Sequence, residues 1–269
     1  MNKQECAIKY VEDNYLQFNR LRHDIIADKL QVRCAHPIGD RLEAKGERQE
    51  QWREMTKHDI NSIVCHAAQE YDANITSREV MTALQSDLIP DVHPLREYVL
   101  SCGEWTEEQP DWIDWVAQQV TVKPLGDEAK GDKARGERLW RGCFKKWFVA
   151  MVASWMKDEV VNHQVLVLIG KQGIFKTTWL EHLIPPHLRA YACKLANSND
   201  LNKDERLRIA EFGLISLDEI DSMNNRELNQ LKSVITATDV NERAAYAYTK
   251  ERRVRLASFC ASGNRRDFL

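Results

Sequence analysis

Five side chains in the second half of the chain have the types and spacing to handle a nucleoside triphosphate. Lys176 and Thr177 close the stretch VLVLIGKQGIFKTT, Asp218 and Glu219 close FGLISLDE, and Asn264 follows the apolar run ending in CASG. From Gly170 the spacing runs glycine, four residues, one residue, lysine, threonine, which is the Walker A pattern with Phe175 where a last glycine is usual. Backbone N–H groups around Gln172, Gly173 and Ile174 are expected to form a concave nest for phosphate, reinforced by the positive end of the helix that starts near Lys176. Lys176 would then reach the β- and γ-phosphates, Thr177 would place its hydroxyl on Mg²⁺, and Thr178 would cap or support the helix start. Phe175 must turn its ring away from the loop. Taken alone, the stretch is also compatible with a plain strand-turn-helix crossover that carries a chance Lys-Thr.

About forty residues later, the strand-like run ending in Asp218-Glu219 has the Walker B form. Asp218 would hold the metal shell, and Glu219 would polarise the attacking water. Asp221 reads as the cap of the next helix, NNRELNQLKSVITA. The apolar strand Ala257 to Ala261 leads to Ser262, Gly263 and Asn264, which puts the Asn264 amide where it can orient a lytic water.

These residues need a scaffold of parallel strands and crossover helices. Val165 to Ile169 is too short for a buried helix and too apolar for a surface strand, so it suits a central parallel strand covered on both faces. Ahead of it, the charged segment Lys130 to Arg138 reads as an exposed loop. A strong amphipathic helix follows, with Trp140, Phe144, Trp147, Phe148, Met151, Val152 and Trp155 on one face. Farther upstream, Pro90 and Pro94 mark a boundary. Trp105, Trp112 and Trp115 raise a base-stacking reading, but Glu104, Glu107, Glu108, Asp111 and Asp114 around them would repel phosphate, so core positions are expected.

The N-terminal part is mixed and mostly helical. The segment from Asn14 to Cys34 is ambiguous between helix and strand, with alternation over Lys29 to Arg33 that suits a short strand. A charged loop over Gly39 to Glu50 follows. Thr56 with Asp59, and Thr76 with Glu79, read as capped starts of two helices. Two short helices beside a strand pair suit either a winged-helix-like binder or a docking module, or simple packing, since no basic helix face is present. The divisions expected are 1–91, a helical connecting region 92–158, and a core 159–269.

Composition sets limits. The 269 residues carry a formal charge of −3, so nucleic-acid binding must come from a local patch. The best patch is Val240 to Leu256, with Arg243, Tyr246, Tyr248, Lys250, Arg252, Arg253 and Arg255; a solvated charged hairpin is the plain alternative. Seven scattered cysteines and no CxxC pair argue for reduced thiols and against a zinc site. His58, Cys65 and His66 read as residues of one helix. Neither a signal core nor a long apolar run is present, which suits a soluble cytoplasmic protein without membrane contact.

The series LVLIGKQGIFKTTWL, LISLDEID, ELNQLKSVIT, NERAAY and KERRVRLASFCASGN resembles the virulence-associated protein E family, P-loop ATPases of phages and mobile elements that are similar to superfamily 3 and AAA+ helicases. The resemblance implies a five-stranded parallel ASCE sheet and ATP with Mg²⁺ as cofactors. By the same likeness, Gly170, Gln172, Gly173, Lys176, Thr177 and Thr178 bind the nucleotide, Thr177 and Asp218 hold the metal, Glu219 acts on water, and Asn264 is the polar sensor. It further implies a hairpin whose Tyr248, Lys250, Arg252 and Arg253 face single-stranded or forked DNA, and assembly into a homo-oligomeric ring. Such ATPases usually continue into another strand and an arginine-bearing segment. The sequence therefore reads as truncated or naturally short after the sensor strand, and slow turnover by this chain alone is expected. A nucleotide-dependent switch or scaffold that unwinds nothing is the alternative. A small-molecule kinase is opposed by Glu219, because a kinase must exclude water rather than activate it.

Overall fold

The computed structural model describes residues 1–34, 51–124, 132–195, 209–242 and 251–265. The chain forms two compact units, Met1–Pro94 and Leu95–Leu269. No helix among the described residues is long and apolar enough to cross a membrane.

The first unit combines α1 (Lys3–Val11), β1 (Leu21–Asp24), β2 (Lys29–Cys34), β3 (Gln51–Glu54), α2 (Lys57–Glu70), α3 (Ser77–Leu84) and β4 (Asp91–Val92). Its sheet runs β3-β2-β1-β4, with antiparallel β1–β2 and β2–β3 pairs and a parallel β1–β4 pair. The β1–β2 turn is held by buried Asp24, whose carboxylate accepts the N–H groups of Ile26 and Ala27. Capping boxes start α2 at Thr56 and α3 at Thr76, as the sequence predicts, and a third starts α1 at Asn2. Cys6, Tyr10, Ile63, Ala67, Val80 and Leu84 from the helices close over Leu21 and Val32 of the sheet. The two strands β1 and β2 resolve the ambiguous segment after Asn14, beyond a π-helical turn over Glu12–Leu16.

The second unit holds α4 (Pro94–Ser101), α5 (Trp112–Gln118), α6 (Lys133–Met156), β5 (Val165–Ile169), α7 (Lys176–Glu181), β6 (Ala192–Leu195), β7 (Leu214–Leu217), α8 (Asn225–Thr236), β8 (Asp239–Glu242), β9 (Glu251–Val254) and β10 (Ser258–Gly263). Four strands form a wholly parallel sheet in the order β5-β10-β7-β6. Its strands are short and apolar because both faces are covered. Leu231, Val234 and Ile235 of α8 pack against Ile215, Leu217, Phe259 and Ala261, which alternate onto one face. α6 is fixed to the strands through indole N–H groups: Trp147 donates to the Phe259 carbonyl at 3.0 Å and Trp155 to the Gly213 carbonyl at 3.2 Å. β8 and β9 form a separate antiparallel ribbon.

Three sequence expectations need correction here. The charged segment Lys130 to Arg138 is not a loop throughout: Asp132 caps α6 by accepting the Arg135 N–H, so Lys133 to Arg138 already form its first turns, exposed except at Gly136. Trp105, Trp112 and Trp115 are more than half exposed rather than core. On seven-residue α5 the buried position is Ala117, while Trp112 and Trp115 share the outer face and pack edge to face at 6.2 Å. Arg255, expected in a basic surface stretch, is fully buried. Its guanidinium donates to the carbonyls of Val234 and Ile235 in the last turn of α8 and to the carbonyl of Asn162, so it serves as a helix C-terminal cation. Burial pulls its pKa down to about 10.

Candidate phosphate-loop site

β5 delivers the chain to a turn at Gly170, whose N–H donates to the carbonyl of Gly263 at 3.1 Å and ties the loop to the tip of β10. Gly173 has φ +82°, a conformation that side chains rarely adopt. Phe175 stands in the left-handed region as well, at φ 59° and ψ 26°, and directly precedes α7. Its ring points into solvent, 76% exposed, which meets the requirement that it leave the loop clear. α7 is seated by its Trp179, whose ring centroid lies 5.5 Å from that of Phe144 and 6.1 Å from that of Trp140 on α6.

The Lys176 ammonium donates to the carbonyls of Gly170 and Lys171, both at 2.8 Å, and to Asn264 Oδ1 at 3.2 Å. The lysine is thereby curled over the loop and within reach of the sensor amide. Thr177 Oγ1 donates to Asp218 Oδ1 at 3.1 Å, and Ser262 Oγ donates to the same oxygen at 2.7 Å. Glu219 is exposed at φ 50°, just beyond the end of β7. The tips of β7 and β10, with the loop, enclose a concavity of about 280 Å³ lined by Gln172, Gly173, Lys176, Asp218, Glu219 and Asn264 among others. Thr177 and Thr178 also line it, but Thr178 does not cap α7: the N-cap is Phe175, without a side-chain bond, and the Thr178 carbonyl accepts from His182.

Asp218 is engaged by three donors. Burial raises its pKa, but the bond from Lys194 at 2.9 Å, together with those from Ser262 and Thr177, more than offsets this and holds the carboxyl below its ordinary value. The Lys194 pKa is raised in turn, chiefly by its bond to Asp218. The donor set suits Mg²⁺: one carboxylate and one hydroxyl leave most of the octahedron to water and phosphate, as that ion prefers. No cluster of three or more His, Cys, Asp or Glu that could hold a metal occurs among the described residues.

Asp221 does not cap α8. Asn224 does, with Glu227 closing a capping box, because the capping signal lies three residues farther on. Asp221 turns toward β10 instead, where its Oδ2 accepts the Arg265 N–H at 3.2 Å. Its buried Oδ1 lies where a Cβ on Gly263 would come within 3.1 Å. A side chain there would crowd the carboxylate that braces the turn presenting Asn264. Ser262 and Lys194 escaped the sequence reading. Ser262 was detectable, since it precedes Asn264 by two residues and alternation sends both toward one face. Lys194 carried no signal, because its pairing depends on which strand lies beside β7.

Residues 131–269 match the family model of the virulence-associated protein E-like domain. The chain belongs to this family. The search of curated proteins returned no match. Similar solved structures of the virulence-associated protein E-like chain include the A form apo structure of the NrS-1 C terminal region, at 13% identity and a TM-score of 0.47, covering 96% of this chain and 56% of that one. Another apo structure of that region has 13% identity and a TM-score of 0.48, covering 96% and 57%. This chain thus spans little more than half the length of those it resembles.

Of the residues expected to face DNA, Arg253 is half-buried with its guanidinium 3.7 Å from the Glu211 carboxylate. Tyr248, Lys250 and the Arg252 side chain lie outside the described residues.

Proposed function

We propose that this chain binds ATP with Mg²⁺ and hydrolyses it, and that it acts on DNA in the replication of a phage or mobile element. One observation carries the reading: Lys176, Thr177, Asp218, Glu219 and Asn264, from three separate stretches, converge on a single concavity at the ends of parallel strands. Thr177 and Asp218 would hold Mg²⁺, which when bound neutralises charge on the phosphates. Lys176 exchanges its three neutral acceptors for phosphate oxygens, a stronger charge-assisted bond. Glu219 accepts a proton from the attacking water, and Asn264 orients that water from the facing strand tip.

A fluorescent ATP analogue titrated against wild type and K176A tests binding. Wild type binds and K176A loses at least about tenfold in affinity, in keeping with removal of a charge-assisted bond. Equal affinities would make the loop an ordinary crossover. E219Q keeps the affinity and loses at least about a hundredfold in turnover if it is the base; unchanged turnover would remove Glu219 from that role.

Assembly into a ring and contact with single-stranded or forked DNA belong to the same proposal. The alternative, a nucleotide-dependent switch that unwinds nothing, is favoured by the engagement of Arg253 with Glu211. A salt series of DNA titrations separates the two: the double variant K250A/R252A flattens the slope by about one for each cation that touches a phosphate. An unchanged slope in a DNA-binding protein would favour the switch.

A further inference from the structure

Lys194 projects from edge strand β6 toward the metal carboxylate, where the β6–β7 register sets Lys194 beside Ser216, two residues before Asp218. Its ammonium lies 2.9 Å from Asp218 Oδ2 and 3.9 Å from Glu181 Oε1 on α7. The other Asp218 oxygen already accepts from Thr177 and Ser262. Both Asp218 oxygens are therefore occupied by donors, and one of those donors carries a full positive charge. A hydroxyl can rotate and offer a lone pair to a metal, but an ammonium has none to offer. It can only leave or repel.

We propose that Lys194 is an electrostatic latch on the metal site: its ammonium holds Asp218 while the site is empty and transfers to Glu181 when a divalent cation arrives. The inference rests on reading the site as a Mg²⁺-nucleotide centre. Glu181 supplies the second resting place, and both it and Lys194 are about half exposed, so the side chain has room to move without disturbing the core. The latch makes metal binding conditional. A bare divalent cation must displace Lys194 using one carboxylate, whereas a cation arriving with a triphosphate brings its own anionic ligands and Lys176 partners with them. The site thus rejects free metal and accepts the metal-nucleotide complex. Neutralising the lysine removes that discrimination.

The test uses Mn²⁺ as the probe, with the intact chain and no nucleotide, and follows the resonance of free Mn²⁺ in wild type, K194M, K194R and E181Q. K194M is expected to bind Mn²⁺ more tightly by a factor in the range of roughly 5–150, the usual span of coupling between sites. K194R should stay near wild type because it keeps the charge, and E181Q should bind no better than wild type because the receiving carboxylate is gone. Thermal melts of all four verify folding, which a substitution at this exposed edge position preserves. Equal or weaker Mn²⁺ binding by folded K194M overturns the latch and makes Lys194 a brace for Asp218. A parallel titration with the fluorescent ATP analogue in the presence of Mg²⁺ keeps the two readings apart. Failure of wild type to bind the analogue overturns the nucleotide centre, whereas normal binding of it with unchanged Mn²⁺ affinity in K194M overturns the latch alone.

Discussion

Phe175 holds the one backbone conformation in the phosphate loop that sequence reasoning flags as irregular. A non-glycine residue in the left-handed region costs about 1–2 kcal/mol relative to glycine, and the ring recovers little of that, being 76% exposed. Glycine there would relieve the strain but lose about 0.5–1 kcal/mol through the greater freedom of the unfolded chain. Strain relief wins by a small margin. F175G should therefore stabilise the second unit by up to about 1 kcal/mol in urea unfolding, whereas F175A, which keeps the Cβ, should change it little. Destabilisation by F175G would mean that the exposed ring has a partner. Single residues were legible when their role was local. The outward turn of Phe175 follows from the loop alone, but the exposure of Trp112 and Trp115 and the burial of Arg255 depend on neighbours distant in sequence.

Helix starts were the most legible elements, since a cap and its N3 partner lie within one turn. Thr56 and Asp59 at the head of α2 show what such a signal becomes in three dimensions: the Asp59 carboxylate accepts the Thr56 N–H and hydroxyl, and both oxygens receive the Arg53 guanidinium at 2.7 Å. The Arg53 bond is the leading cause that drives the Asp59 pKa far below its ordinary value, against the opposing effect of burial, with Thr56 adding to the depression. A depressed carboxylate stabilises the fold above its unfolded pKa, near 4, and that contribution disappears as pH falls through the folded value. Wild type should thus lose stability progressively below about pH 4. D59N, which gives up bonds worth about 1–3 kcal/mol at neutral pH, should show a shallower acid dependence. Urea unfolding followed by far-ultraviolet circular dichroism at pH 3 and pH 6 checks both; parallel acid profiles would dismiss Asp59 as a contributor. Strand elements were legible where apolar runs were continuous, as in β5, β7 and β10, whereas β6 and its Lys194 gave no period to read.

At the scale of the whole molecule, the second unit is joined across large sequence separations by a cation that has no carboxylate against it among the described residues. Arg255 bonds to carbonyls of Asn162, Val234 and Ile235, and a lysine cannot span them because its donors radiate from one point. R255M and R255K should each lower stability by about 2–4 kcal/mol, since the last turn of α8 loses its acceptors' partner inside the protein. Chemical denaturation measures it, and a neutral R255M would show that the carbonyls find other donors. Strand order was the feature least open to sequence reading, because the period of a strand says which face is buried and nothing about its neighbours. That order has a consequence for the nascent chain. β10 is the last of the four parallel strands to be synthesised, yet it lies between β5 and β7, which pair with it and not with each other. After β7 emerges, synthesis needs roughly 2–8 s to reach β10. During that interval β5 and β7 each carry an open edge, Gly170 lacks its Gly263 acceptor, and Thr177 lacks the Ser262 hydroxyl. The phosphate loop acquires its sensor and its Asp218 network together, in one late insertion, so a chaperone that shields apolar edges has its natural moment there.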